Sequence, residues 1–393
     1  MPSTYASRRP EAERQRYWSL AAAIASVTVF GLSVGQAGPL LSLLLEQKGT
    51  DATLNGINAG ATFIGVLIGP LVAPRLVRRY GIRDFLLVGF GLDIVLFLAM
   101  KPFDSLADWF VLRPLGAAVG SSIFTAGEAW INQLAGDRGR GRIIGLYAAA
   151  LSAGFGLGPL ILSLTGTAGW PPFVANAAIT AVAAVPLFGV RRSSGSFGQD
   201  AATPLRMFAR APGIMAAVAV FGLYEAALMN LLPIWGVRNA LSERVAAATL
   251  SAVYFGSIVL QILIGWLSDG VSRLAALRLC GAMGLAGAVL LAGVSMPPAA
   301  LFILLFVWGG MASGIYPVAL SMAGDRFRGG EVISVNAAII IAYGLGALVG
   351  PPLGGAAMDL DNPRGLIWLF VALFGALLAC LLLPLARRRR TAD

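Results

Sequence analysis

Residues 113–159 read RPLGAAVGSSIFTAGEAWINQLAGDRGRGRIIGLYAAALSAGFGLGP, and they place an arginine, a glutamate, a charged turn and a glycine-proline motif in one apolar hairpin. Much of the stretch occurs twice. The turn Ala135-Gly136-Asp137-Arg138 returns as Ala323-Gly324-Asp325-Arg326, and Gly154-x-x-x-Gly158-Pro159 returns as Gly346-x-x-x-Gly350-Pro351. Further out, Phe30-Gly31-Leu32 matches Phe221-Gly222-Leu223. The run from Gly60 to Leu67-Ile68-Gly69 matches that from Gly256 to Leu263-Ile264-Gly265 at the same spacing. Four echoes in the same order mark two related halves.

With 58% hydrophobic and only 12% charged residues among 393, the chain is too apolar for a water-soluble globule and reads as an integral membrane protein. Its apolar runs are long and do not alternate in polarity, which points to α-helices of about 20 residues and away from a β-barrel. Twelve spans are expected, near 17–45, 53–74, 84–100, 107–133, 143–166, 172–190, 211–235, 246–268, 274–294, 298–321, 331–358 and 365–386. The fold class is therefore an all-α membrane protein. It is organised as a tail (1–16), a six-helix bundle (17–190), a Ser-, Gly- and Asp-rich linker (191–210), a second bundle (211–386) and a tail (387–393). The apolar run from Trp18 to Leu45 is too long for a cleaved signal and reads as the first helix.

The net charge of +10 comes almost wholly from arginine, since Lys48 and Lys101 are the only lysines and histidine is absent. The arginines sit in turns and tails without a basic face or interleaved aromatics, so nucleic acid is not an expected partner. Most of them fall on one set of alternate loops. By the positive-inside rule that side is cytoplasmic and holds both termini, with Arg387 to Arg390 as a topology anchor. Cys280 and Cys380 lie within apolar spans and read as small hydrophobes. No metal site or cofactor is expected, and histidine-dependent catalysis is excluded. There is no phosphate-binding Gly-x-x-x-x-Gly-Lys loop to make the chain an ATP-driven pump, and the one Gly-x-Ser-x-Gly run, Gly31 to Gly35, lies inside an apolar span and not at a strand-to-helix turn, so no enzyme is expected.

Twelve spans in two repeats around a polar linker resemble the major facilitator superfamily of secondary transporters. The motifs that carry the resemblance are Gly265-Trp266-Leu267-Ser268-Asp269 with Arg273, and its first-half counterpart Gly69 with Arg75, Arg78, Arg79, Gly81 and Arg83. In that counterpart Ala73 stands where an aspartate belongs. Arg113-x-x-Gly116-x-x-x-Gly120 is similar to the superfamily's fourth-helix motif, and Gly154 to Pro159 to its fifth-helix antiporter motif. Glu128-Ala129-Trp130-Ile131-Asn132 before Asp137-Arg138 resembles a bacterial subgroup of undefined substrate. The resemblance implies gating by Gly69, Arg75, Arg79, Gly81, Gly265, Asp269, Arg273, Asp137, Arg138, Asp325 and Arg326. It also implies helix rocking over Gly154, Gly158, Pro159, Gly346, Gly350 and Pro351, in a monomer of the bacterial inner membrane. Spans 1, 4, 7 and 10 are expected to line the cavity.

Ionisable residues inside a bilayer are costly, so each needs a reason. Asp93, Arg113, Glu128 and Glu225 fall within spans. Without histidine, a proton carrier has to be a carboxylate, and Glu225 in the seventh span is the first choice. Asp93 and Arg113 are expected at similar depth on adjacent antiparallel spans, which permits an ion pair, either structural or proton-linked and modulating Glu225. Glu128 lies roughly 22 Å along the helix from Arg113, too far to join it. Gln36, Asn230, Trp308 and Tyr316 are the candidate solute contacts alongside Arg113 and Glu225, with Trp308 and Tyr316 eight residues apart on one helical face. The expected function is secondary transport of a small organic solute by alternating access. Proton-coupled export is preferred, and uptake by symport, facilitated diffusion, a channel or a sensor are the alternatives.

Overall fold

Within hydrocarbon every backbone N–H and C=O must be satisfied inside the segment, and a chain this apolar meets that demand with helices. The computed structural model describes residues 8–134, 140–191, 204–270, 272–293, 296–328 and 331–382. In chain order its first six helices are α1 (Arg8–Gln47), α2 (Ala52–Tyr80), α3 (Ile82–Ala99), α4 (Leu106–Leu134), α5 (Arg140–Thr165) and α6 (Pro171–Ala184), the last extended by a 3-10 turn, Val185–Gly189. A short α7 (Pro204–Arg210) precedes α8 (Pro212–Arg238), α9 (Glu243–Gly270), α10 (Arg273–Gly293), α11 (Pro298–Ser313), α12 (Ile315–Arg326), α13 (Glu331–Leu360) and α14 (Gly365–Leu382). Among the described residues, 11 stretches are long and apolar enough to cross a membrane, with α11 and α12 counted as one. α3, an 18-residue helix that carries Arg83, Asp84 and Asp93, makes the twelfth.

The tenth span departs from the continuous helix expected over 298–321. It breaks at Gly314, where α11 ends and α12 begins. Pro317 is the cause, because it has no N–H to give to the Ser313 carbonyl and its ring crowds that position. The turn at Asp137 and Arg138 lies outside the described residues, as does the side chain of Asp269.

Packing divides the chain into two units. One gathers Met1–Lys48, Ala61–Gln199 and Ser242–Ser251, and the other Gly49–Gly60, Asp200–Leu241 and Ala252–Asp393. Each unit therefore takes in the first turns of the second helix of the opposite sequence half. Within its unit, α2 starts under a carboxylate from α13: Asp359 accepts from the backbone N–H groups of Ala52 (3.1 Å) and Thr53 (2.8 Å) and from the Thr53 hydroxyl (2.6 Å). The first N–H groups of a helix have no partner in their own helix, and an anion there also meets the positive end of the helix dipole. In the other unit, Glu243 at the start of α9 accepts from Gln47 at 2.6 Å and Thr167 at 2.5 Å.

The two halves also repeat in a close backbone contact. In the first, a Cβ on Gly154 would stand 2.4 Å from the Thr28 carbonyl oxygen, and one on Gly158 would stand 2.5 Å from that of Leu32. In the second, Gly346 and Gly350 meet the Ala219 and Leu223 carbonyls at 2.0 and 2.2 Å in the same sense. Backbones this close admit only glycine, so α1 with α5 and α8 with α13 are matched seams.

Candidate functional site

α8 is the helix around which the second unit is built. Of its most apolar window 72% is buried, a larger share than in any other spanning helix of the described chain. A helix apolar on every side belongs in a core, which makes Glu225 on its midsection conspicuous. Glu225 is half-buried, and the Tyr343 hydroxyl of α13 donates to its Oε2 at 2.9 Å. No lysine or arginine pairs with it among the described residues. The seam explains the register: Gly222 and Gly346 bring α8 and α13 into backbone contact, and Tyr343 lies one turn before Gly346.

Aromatic rings surround the pair. Phe221 stacks on Tyr316 at 5.7 Å between centroids and on Tyr343 at 6.3 Å, and Tyr316 meets Tyr343 edge-on at 6.0 Å. Glu225, Tyr316 and Tyr343 are each half-buried. A carboxylate of this kind can take up a proton or meet a cationic group, while the flanking rings offer flat apolar faces to a bound molecule.

The tyrosine at position 343 was not singled out in the sequence, although the repeat contains a signal for it. Aligned through the matched Phe-Gly-Leu and Gly-x-x-x-Gly-Pro motifs, the first-half counterparts of Glu225 and Tyr343 are Val34 and Leu151. Both polar groups are thus departures from the repeat at one seam.

Trp308 does not share the face of Tyr316. Its ring is 1% exposed and its indole N–H donates to the Gly284 carbonyl at 2.7 Å, with Tyr224, Phe370 and Phe374 packed around it. The break at Gly314 removes the continuous helix on which the eight-residue spacing depended. An indole N–H held in a core must find an acceptor, which Gly284 supplies, and Gly287 on α10 leaves room for the ring. Gln36 is likewise taken up by packing: it is fully buried, donates to the Pro172 carbonyl at 2.8 Å and accepts from Asn176 at 3.2 Å. Asn230, 2% exposed, donates to the Ala226 carbonyl of its own helix at 2.9 Å.

Asp93 and Arg113 occur on neighbouring helices of the first unit, but the ion pair that depth permits is not formed. Asp93 is half-buried and has no hydrogen-bond or ion-pair partner among the described residues, whereas Arg113 is 4% exposed on α4. Glu128 accepts from the Tyr147 hydroxyl of α5 at 3.1 Å.

Of the residues expected to gate, Arg273 links the two motifs of the second half. Its Nε donates to Asp325 Oδ2 at 3.0 Å and its Nη1 to the Ser268 hydroxyl at 2.9 Å. Arg326 lies over the ring of buried Phe327, as does Arg210. Gly81 takes φ 80° to turn the chain from α2 into α3 in a single residue, Gly69 lets α2 close against α4, and Gly265 has open space beside it.

The family model for the Major Facilitator Superfamily matches residues 19–240 and again 214–393. The chain belongs to the major facilitator superfamily. The first match runs through α8 and overlaps the second, and the family is one of secondary transporters that alternate access, not of enzymes. Among curated superfamily relatives, the uncharacterized MFS-type transporter YfkF of Bacillus subtilis (strain 168) is 25% identical over 352 residues, covering 87% of this chain and 89% of that protein. The uncharacterized MFS-type transporter YcaD of Escherichia coli (strain K12 / DH10B) is 23% identical over 351 residues, with 86% and 88% covered. Two solved superfamily folds superpose closely. The nucleoside transporter NupG (D323A mutant) does so with TM-score 0.80 at 11% identity, over 93% of this chain and 98% of that one. A D-xylose-proton symporter does so with TM-score 0.70 at 14% identity, over 93% and 97%.

Proposed function

We propose that this major facilitator protein exports a small organic solute in exchange for protons across the bacterial inner membrane, as a monomer with both termini in the cytoplasm, and that Glu225 carries the proton. The observation that carries the reading is the Glu225–Tyr343 pair, a membrane-embedded carboxylate held by one hydroxyl in an aromatic setting on the most buried helix. A carboxylate without a paired cation gains or loses net charge with its proton, which is the property a coupling residue needs. Tyr316 and Tyr343 supply the solute with ring faces, and Phe221 backs them. Gln36, Asn230 and Trp308 then act as framework, since their side-chain N–H groups are committed to protein carbonyls. Asp93 is a second carboxylate available to protons.

Export is preferred because Gly154 to Pro159 has the pattern associated with antiporters. The uptake reading draws on the D-xylose-proton symporter, whose name assigns symport to a protein of this fold. The test is proton movement in proteoliposomes challenged with a panel of organic solutes. Solute-evoked proton flux in the parent and none in Glu225→Gln is expected. Unchanged coupled flux in the variant would remove Glu225 from the pathway, and solute flux without protons would replace antiport by facilitated diffusion. Flux of solute and proton in the same direction would establish symport.

A further inference from the structure

A groove of about 590 Å³ runs along the outside of α2, α3 and α4, wholly within the first unit and away from Glu225. On α2 it is bordered by Ile68, Val72, Leu76 and Tyr80, one residue per turn, and on α3 by the face between Asp84 and Leu96. Each border runs over 13 residues, or about 18 Å of helix from first to last. That is close to the depth of one leaflet, half of a hydrocarbon core of about 30 Å.

The walls are apolar and open. Ile68 is 46% exposed and Val88 70%, and surfaces of that kind inside a membrane face acyl chains. The one serine in the groove, Ser122, adds no polarity, because its hydroxyl donates to the Gly69 and Ala118 carbonyls.

One end of the groove is different. Arg75 and Arg79 are exposed and flank the α2 stripe by one residue, and the Arg79 guanidinium lies 5.3 Å from the centre of the Tyr80 ring that closes the stripe. Asp84 borders the same end and has an interaction partner within the protein. Arg83 is held by the Leu187 carbonyl, to which its Nε donates at 3.1 Å. Among the described residues, the exposed positive charge beside the mouth belongs to Arg75 and Arg79.

We propose that this groove binds one anionic phospholipid from the arginine-rich side of the membrane, with an acyl chain between α2, α3 and α4 and the phosphate at Arg75 and Arg79. Guanidinium groups at a membrane surface attract anionic headgroups, and the apolar channel below gives the chain a fixed place.

Native mass spectrometry of the full chain, released from nanodiscs of mixed phosphatidylcholine and phosphatidylglycerol, tests the proposal. The parent is expected to keep one phosphatidylglycerol in preference to phosphatidylcholine. Retention should fall about thirtyfold in the double variant Arg75→Gln/Arg79→Gln, from roughly 1 kcal/mol for each of the two basic residues at the surface. It should fall as far in Val88→Trp, which fills the groove and leaves every arginine in place. If the arginine variant loses lipid but Val88→Trp keeps it, the attraction is that of a charged surface only and the groove site is refuted. Equal retention of the two lipids, or full retention in the arginine variant, overturns the headgroup assignment. Should Val88→Trp fail to fold, Leu92→Trp fills the same groove one turn further in.

Discussion

At the scale of the residue, burial and hydrogen bonding separate two tryptophan- and tyrosine-bearing positions that look alike in sequence. Trp308 is enclosed and its N–H satisfied, while Tyr316 is half-buried against Phe221 and Tyr343. Trp308→Ala should therefore act on stability, at a cost of about 3–5 kcal/mol for a large buried aromatic. Tyr316→Ala should leave the melting temperature within a few degrees and raise the solute KM. Thermal unfolding of purified protein in detergent, set beside transport kinetics, separates the two, and equal loss of stability in both would reject the division. The same reasoning puts Gln36 in the framework, because each end of its carboxamide already has a protein partner.

Helices are the next scale, and here the decisive quantity is how closely two backbones approach. At Gly350 a Cβ would stand 2.2 Å from the Leu223 carbonyl oxygen, whereas at Gly265 nothing lies within 4 Å. Both glycines belong to recurring motifs, yet only one is fixed by packing. Gly350→Leu is expected to force α8 and α13 apart, cost at least about 1–3 kcal/mol and abolish transport. Gly265→Leu should fold with an unchanged melting temperature. Fluorescence-detected gel filtration of the two variants reads the difference directly, and a well-folded Gly350→Leu protein would contradict the seam. The break at Gly314 belongs to this scale as well, since one proline ended a helix that the apolar pattern alone extends without interruption.

For the whole molecule, the repeat sets the frame and departures from it mark the candidate site. The seams α1 with α5 and α8 with α13 are alike, but Glu225 and Tyr343 replace Val34 and Leu151 in only one of them. Arg273 and Asp325 connect the loop motifs of the second half through a bond whose side chains are 32% and 60% exposed. An exposed pair contributes little to stability, at most about 1 kcal/mol. Its effect should appear in the transport cycle instead. Arg273→Asp and Asp325→Arg are each expected to slow transport severalfold with little change in melting temperature, and the charge-swapped double variant should regain most of the rate. A double variant no better than either single one would show that the pair does not act as a unit.

The sequence by itself determined the membrane class, the helical spans and the twofold repeat, because hydropathy, helix length and motif order are local properties written along the chain. It also singled out Glu225, since a carboxylate in an apolar span stands out without any structure. Tertiary structure decided what each polar side chain meets. Tyr343 as the partner of Glu225, Asp359 over the start of α2, the committed amide of Gln36 and the enclosed Trp308 all depend on contacts between residues far apart in the chain, some of them more than a hundred positions. Spacing within one helix gives a face, but only the packing of helices decides whether that face meets a carbonyl, a ring or open space.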